Sequence, residues 1–108
     1  MGAWGKMDIL QWLQEWYLSQ CDGMWEHGYG ISIDTLDNPG WKVVVDGQTG
    51  REALTFMIDY GDDDWLSVNA SAERFDGTGD PGKLAQLLAC VKDWVASSAD
   101  EGAMGAMG

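Results

Sequence analysis

Four short segments of the chain alternate apolar and polar residues with a period of two. Tyr29, Ile31 and Ile33 alternate with Gly30, Ser32 and Asp34. Trp41, Val43 and Val45 alternate with Lys42, Val44 and Asp46. Leu54, Phe56, Ile58 and Tyr60 alternate with Thr55, Met57 and Asp59. Leu66, Val68 and Ala70 alternate with Trp65, Ser67 and Asn69. Successive side chains of a strand point to opposite faces, so each segment reads as a strand with one buried face. The links between them are Asp37-Asn38-Pro39-Gly40, Gly47-Gln48-Thr49-Gly50 and Gly61-Asp62-Asp63-Asp64. These are turn-forming residues, and links this short favour antiparallel neighbours. The pattern predicts a four-stranded antiparallel meander.

The first hairpin is constrained further. If Ile31 and Ile33 share a face with Val43 and Val45, the numbers of paired residues must sum to an even value. A two-residue Pro39-Gly40 loop makes that sum odd and sets Asp34 opposite Val45. Pro followed by Gly also suits turn types that match hairpin twist poorly. An odd-length loop or a bulge is expected.

Amphipathic helices flank the strands. From Asp8 to Gln20 the residues Ile9, Leu10, Trp12, Leu13, Trp16 and Tyr17 recur at spacings of three and four. Asp8 suits the N-terminus, and Gly23 suits a left-handed stop. Phe75 to Gly82 reads as loop. Asp80 then suits an N-cap with Pro81 at the first helical position. The last helix is expected from about Pro81 to Ser98, with Leu84, Leu87, Leu88, Val91, Trp94 and Val95 as its apolar stripe.

The predicted fold is therefore α+β, in the order α-β-β-β-β-α. Both helices pack on the sheet face carrying Ile33, Val43, Phe56 and Val68. The opposite face is left open. It carries Asp34, Asp46 and Asp59 on neighbouring strands, with Val44, Met57 and Trp65 among them. Apolar anchors among acids suit a protein-binding surface, and an exposed Trp is a typical interface anchor. An ordinary solvated sheet face is the plain alternative.

With 108 residues, the chain suits one domain. That domain is expected over residues 7–98. The aperiodic Gly, Ala and Met at 1–6 and 102–108 read as cloning remnants or disordered tails. Seven tryptophans let a small core bury a large area. No apolar run approaches the roughly 20 residues that span a bilayer. The N-terminus lacks the pattern of a secretory signal. Cys21 and Cys90 lie in apolar helical surroundings and are expected as buried free thiols, consistent with a reducing cytoplasm. The net charge of −12 repels nucleic-acid backbones and anionic membranes and steers basic protein partners. Solubility alone is the plainer use of such charge.

The stretch Cys21-Asp-Gly-Met-Trp-Glu-His-Gly-Tyr-Gly30 holds the chain's single His beside an acid. Adjacent residues on an extended strand point apart, so Glu26 and His27 do not form a natural acid–base pair. One His and two distant Cys do not supply a zinc site. Asp62-Asp63-Asp64 lacks the ligand spacing of an EF-hand loop. Gly28 and Gly30 precede a strand rather than a helix, unlike phosphate-binding loops. No nucleophile motif is present. No catalytic residue, metal or cofactor is expected, and a binding module is favoured over an enzyme.

The run from Trp12 to Trp41 resembles the immunity protein 53 family of bacterial polymorphic toxin systems. The matching elements are Trp16-Tyr17, Cys21-Asp22-Gly23, Trp25-Glu26-His27, Tyr29-Gly30 and Thr35 to Trp41 with its Asp37-Asn38. Asp64-Trp65, the segment Phe75 to Leu84 and Asp93-Trp94 are also similar. The resemblance spans about Met7 to Ser98. It implies a cytoplasmic α+β protein that binds and neutralises a cognate toxin. Trp25, Glu26, His27, Asp37 and Asn38 are family-motif residues without an assigned role. A basic nuclease is one partner that the acidic surface suits. The competing readings are a small enzyme using Glu26 and His27, with Asp37 as a further candidate, and a homodimeric structural module.

Overall fold

The computed structural model describes residues 8–97. The two tails, Met7 and Ser98 lie outside them. In chain order the elements are α1 (Ile9–Gln20), α2 (Trp25–Gly28), β1 (Ile31–Leu36), β2 (Gly40–Val45), β3 (Leu54–Asp59), β4 (Trp65–Ala70), β5 (Phe75–Gly79) and α3 (Leu84–Ala96). The fold is α+β, with an antiparallel sheet and helices near both ends of the described chain. The sheet has five strands, not the four expected, and its order is β1-β2-β5-β4-β3. It is not a simple meander.

β5 lies at the centre of the sheet, where the sequence reading placed a loop. Its helix-side positions are Phe75, Gly77 and Gly79, and two glycines in three erase the apolar alternation. The glycines are required because α3 crosses close above. A β-carbon on Gly77 would lie 2.9 Å from Leu87 Cδ2, and one on Gly79 would lie 2.8 Å from Lys83 Cβ.

The helices cover the predicted face, although Ile33 on the edge strand β1 stays exposed there. Ile33, Val43, Gly77, Val68 and Phe56 form one continuous cross-strand row, with Gly77 at its middle. Val43, Val45, Leu66, Val68, Phe75, Leu87, Leu88, Val91 and Trp94 are fully buried between sheet and helices. Each such side chain contributes about 1.5–3 kcal/mol by leaving water. The Phe75 and Trp94 rings meet at 5.8 Å. α1 adds Trp16, stacked on Trp12 at 6.0 Å. Trp94 Nε1–H also donates to Ser71 O, which satisfies the one polar atom of its buried ring.

The β1–β2 hairpin pairs Leu36 with Gly40 and Ile31 with Val45. Its loop is the three residues 37–39, the odd length expected. β1 starts at Ile31, because Trp25–Gly28 form the short helix α2 that the sequence reading did not anticipate.

α3 starts at Leu84 rather than Pro81, and Asp80 is not its cap. The buried Asp80 carboxylate accepts the Trp65 N–H at 2.9 Å, the Gly82 N–H at 2.7 Å and the Lys83 ammonium at 2.7 Å. It thereby ties the start of β4 to the turn before α3. The Lys83 hydrogen bond, helped by the two backbone N–H groups against the cost of burial, holds the Asp80 pKa down at about 2. Trp41 Nε1–H grips the same turn through Pro81 O.

The link from β2 must reach β3 at the far edge. Buried Gln48 donates to Gln20 Oε1 at the end of α1 and accepts from the Arg51 guanidinium. Arg51 donates in turn to Val95 O at the end of α3. A cation is favourable there, where helix carbonyls lack partners. Asp8 holds the N-cap position of α1 without a side-chain cap bond. Gly23 has the left-handed φ of 96° expected of a helix stop, two residues past the C-cap Cys21. Both cysteines are free and half-buried rather than buried.

Candidate functional site

The strand register defines the second sheet face. One row runs Asp34, Lys42, Thr78, Ser67, Met57 across all five strands, and its neighbour runs Ser32, Val44, Asp76, Asn69, Thr55. At the end of the sheet, Trp65 pairs with Asp59. The core, with the buried side chains of α1 and α3, lies on the other face.

Asp34 and Asp46 belong to neighbouring strands as expected, but Asp59 does not follow them. The inserted β5 and the strand order place Asp34 on one edge and Asp59 on the opposite edge, about 19 Å apart at the usual strand spacing. Asp46 lies just past β2 and is ion-paired with Arg74 at 3.2 Å. Lys42 stands directly across from Asp34. Val44 points to this face but is 91 % covered, at 9 % exposure, so it is not an exposed anchor. The face is mixed in charge: Asp76 stands on the central strand β5, while Asp34, Asp46 and Asp59 lie toward its margins.

What the structure brings together is a groove of about 650 Å³ around Trp65. Met57, Asp59, Asp62, Ser67 and Thr78 line it, with Asn38 reaching in from the β1–β2 loop. Trp65 is half-buried. Its ring lies over Gly40, with Cζ2 at 3.3 Å from where a β-carbon would be. Met57 is 69 % exposed beside it, and Tyr60 is 78 % exposed at the end of β3. Lys83 is the cation nearest in sequence to this rim's tryptophan partner Asp80, and it is held between Asp64 and Asp80 at 2.7 Å each. Asp59 and Asp62 thus line the groove without an ion pair of their own among the described residues. Ser67 and Thr78 escaped the sequence reading. Thr78 lies on the unrecognised β5, and Ser67 was seen only as an alternating polar residue.

The stretch around Glu26 and His27 turns out to be a folded corner. Asp22 Oδ1 accepts the N–H groups of Met24 and Trp25 at 2.9 and 3.0 Å. Glu26 accepts those of Asp22 and Gly23 at 3.1 and 2.9 Å. The reciprocity is that of a capping box, built on a spacing of four. The backbone N–H groups of Trp25 and Met24 hold the Asp22 carboxyl below the usual range. Trp25 packs against Trp16, Tyr17 and Tyr29, and its Nε1–H donates to Gly47 O at 3.1 Å. Gly47, at φ 82°, has no room for a β-carbon beneath these rings. His27 is exposed, as is Asp37. Both oxygens of Glu26 therefore serve the backbone, and the residues of the suspected acid–base pair do not converge on one pocket.

Among the described residues, no group of three or more His, Cys, Asp or Glu could hold a metal ion. No helix among them is long and apolar enough to cross a membrane. Burial pushes the Cys90 thiol up, away from nucleophilic character.

The fold is a small α+β domain with helices on one sheet face and a groove lined by Trp65 and Met57 on the other. The chain belongs to the immunity protein 53 family, whose family model matches residues 10–96. Comparison with curated proteins and with solved structures found no match.

Proposed function

We propose that the chain protects its host cell by binding a cognate toxin directly, without catalysis, through the open sheet face. Family membership supports the immunity role. The observation that favours this face is the Trp65 groove, where an aromatic ring, an exposed methionine and two carboxylates share one concavity. Aromatic and Met anchors with charge at the rim are the composition of protein interfaces. The contact residues are Trp65, Met57 and Asp59, with Asp34 and Asp46 as outlying acids and Val44 as a covered support. The net charge of −12 suits a basic toxin such as a nuclease. The acidic protein would then speed association and occupy the cleft that holds phosphates. Such binding takes place in the cytoplasm.

The test is co-expression with the toxin encoded beside the chain, read as cell growth, and titration calorimetry of the purified pair. Growth rescue with a stoichiometric complex is expected. Rescue without a complex, or no rescue, overturns the reading. Affinity unchanged by salt and by Asp-to-Asn changes overturns its electrostatic part.

A further inference from the structure

We infer that the free edge of β1 receives an extended segment of the protein partner, which adds a sixth strand to the sheet and carries apolar residues alternating with Lys or Arg. The inference rests on the binding reading above and names the kind of segment bound.

Among the described residues β1 is an edge strand, paired with β2 alone. The Asp46 N–H donates to Gly30 O, so Gly30 and Asp46 form a hydrogen-bonded pair. Antiparallel pairs alternate. Ser32, Asp34 and Leu36 therefore point their backbone groups toward β2. Ile31, Ile33 and Thr35 point theirs outward, to the open edge. An edge of this kind is a template for another strand unless it is guarded by charged side chains, Pro or a bulge. β1, with the sequence Ile-Ser-Ile-Asp-Thr-Leu, has no Pro and a continuous register with β2, and its one charge, Asp34, repels acidic strands but admits basic ones.

The helix layer also leaves room beside it. A groove of about 480 Å³ opens between α1 and the start of β1, lined by Leu13, Gln14, Tyr17, Tyr29, Gly30 and Ile31. Ile33, on the helix side of the sheet, remains 38 % exposed, and Tyr17 and Tyr29 remain 43 % and 55 % exposed. A strand added at β1 would place every second side chain against these groups. Backbone hydrogen bonds would then supply affinity, and the groove would supply specificity. The opposite edge differs. At β3 the helix-side residues Leu54, Phe56 and Ile58 are half-buried, and the groove beside Leu54 is about 160 Å³.

Charge selects the occupant. On the open face β1 presents Ser32, Asp34 and Leu36 to an added strand, of which Asp34 is the charged one, with Asp37 exposed just beyond the strand. Lys42 lies on the β2 side of Asp34, away from the free edge. A second copy of this chain would bring another −12 to the same place, so self-pairing is disfavoured. A segment with Lys or Arg on its open-face positions is attracted there.

The probe is a short acetylated peptide alternating Lys and Val, added at millimolar concentration to the 15N-labelled full chain. Amide exchange at Ile31, Ile33 and Thr35 is expected to slow by on the order of tenfold, whereas Ser32, Asp34 and Leu36 are already protected by β2. A Glu–Val peptide of equal length should have no effect. Asp34→Lys should reverse the preference between the peptides. Ile33→Pro should abolish binding without unfolding the chain, because the lost N–H faces outward. Absent protection at the three residues, equal effects of the two peptides, or edge protection that appears with chain concentration alone overturns the inference. An Ile33→Pro chain that is folded and still rescues cells from the toxin also overturns it, while leaving the immunity reading intact. If the unaltered chain gives no rescue, it is the immunity reading that falls.

Discussion

Leu87 sits directly on Gly77, at the centre of the sheet. A β-carbon at Gly77 would lie 2.9 Å from Leu87 Cδ2 and 2.9 Å from Phe75 Cε1. Gly77→Ala therefore overpacks the core and is expected to cost about 1–3 kcal/mol. Leu87→Ala alone should cost about 2–5 kcal/mol. Because the two changes act on one contact, the double variant should be less destabilised than their sum. Urea denaturation of the three variants measures this, and strict additivity would refute the contact.

The same contact explains what the sequence shows and hides. β1 to β4 are legible because their inward positions carry Ile, Val, Leu and Phe at every second residue, and α1 and α3 because their stripes are wide. β5 is hidden because close helix packing demanded glycine where a strand signal needs bulk. Losing β5 also changes the strand order, so of the acids expected on three successive strands, Asp34 and Asp59 stand at opposite edges of the sheet. At the site, Trp65 and Met57 were legible as apolar residues on a polar face. Thr78 was not, because it belongs to β5. Nor was the role of Glu26, since a carboxylate that satisfies backbone N–H groups three and four residues back leaves no periodic trace.

Asp80 gives the fold an acid limit. Its folded pKa, about 2, lies below the unfolded value near 3.9. Its contribution to stability is thus complete above about pH 4 and is lost as pH falls toward 2. Asp64 first, and then Asp80, raise the Lys83 pKa by hydrogen bonding. The Lys83 contribution is complete below its unfolded value near 10.4 and declines as pH rises through the folded value. Asp80→Asn should lower the unfolding midpoint at neutral pH. The gap between variant and parent should stay constant from about pH 7 to 5 and narrow from about pH 4 to 2. A gap independent of pH down to the lowest value would contradict the assignment.

Glu26 and His27 should separate cleanly. Glu26→Ala leaves the N–H groups of Asp22 and Gly23 without their acceptor and should destabilise by about 0.5–2 kcal/mol, the range of a lost cap. His27 is exposed, so His27→Ala should change stability by less than about 0.5 kcal/mol. Thermal unfolding of the two variants decides the matter. Equal losses would mean that His27 has a structural partner. Loss of toxin protection in a fully stable His27→Ala chain would instead assign it a contact role.

The Trp65 groove can be tested by changes that leave the fold alone. Met57 is 69 % exposed, so Met57→Lys should be neutral for stability yet weaken toxin binding through bulk and like charge. Trp65→Ala should cost about 2 kcal/mol or more of binding if the ring is an anchor, appearing mainly as faster dissociation. Because the ring also lies over Gly40, unfolding of the variant must be measured beside its affinity. Asp59→Asn and Asp62→Asn should instead slow association and flatten its salt dependence, as expected of charges at a rim. Val44→Ala is the counter-test. Val44 is 9 % exposed, so its truncation should lower stability and leave affinity unchanged. If Met57→Lys and Trp65→Ala bind toxin as the parent does while remaining folded, the open face is not the contact surface.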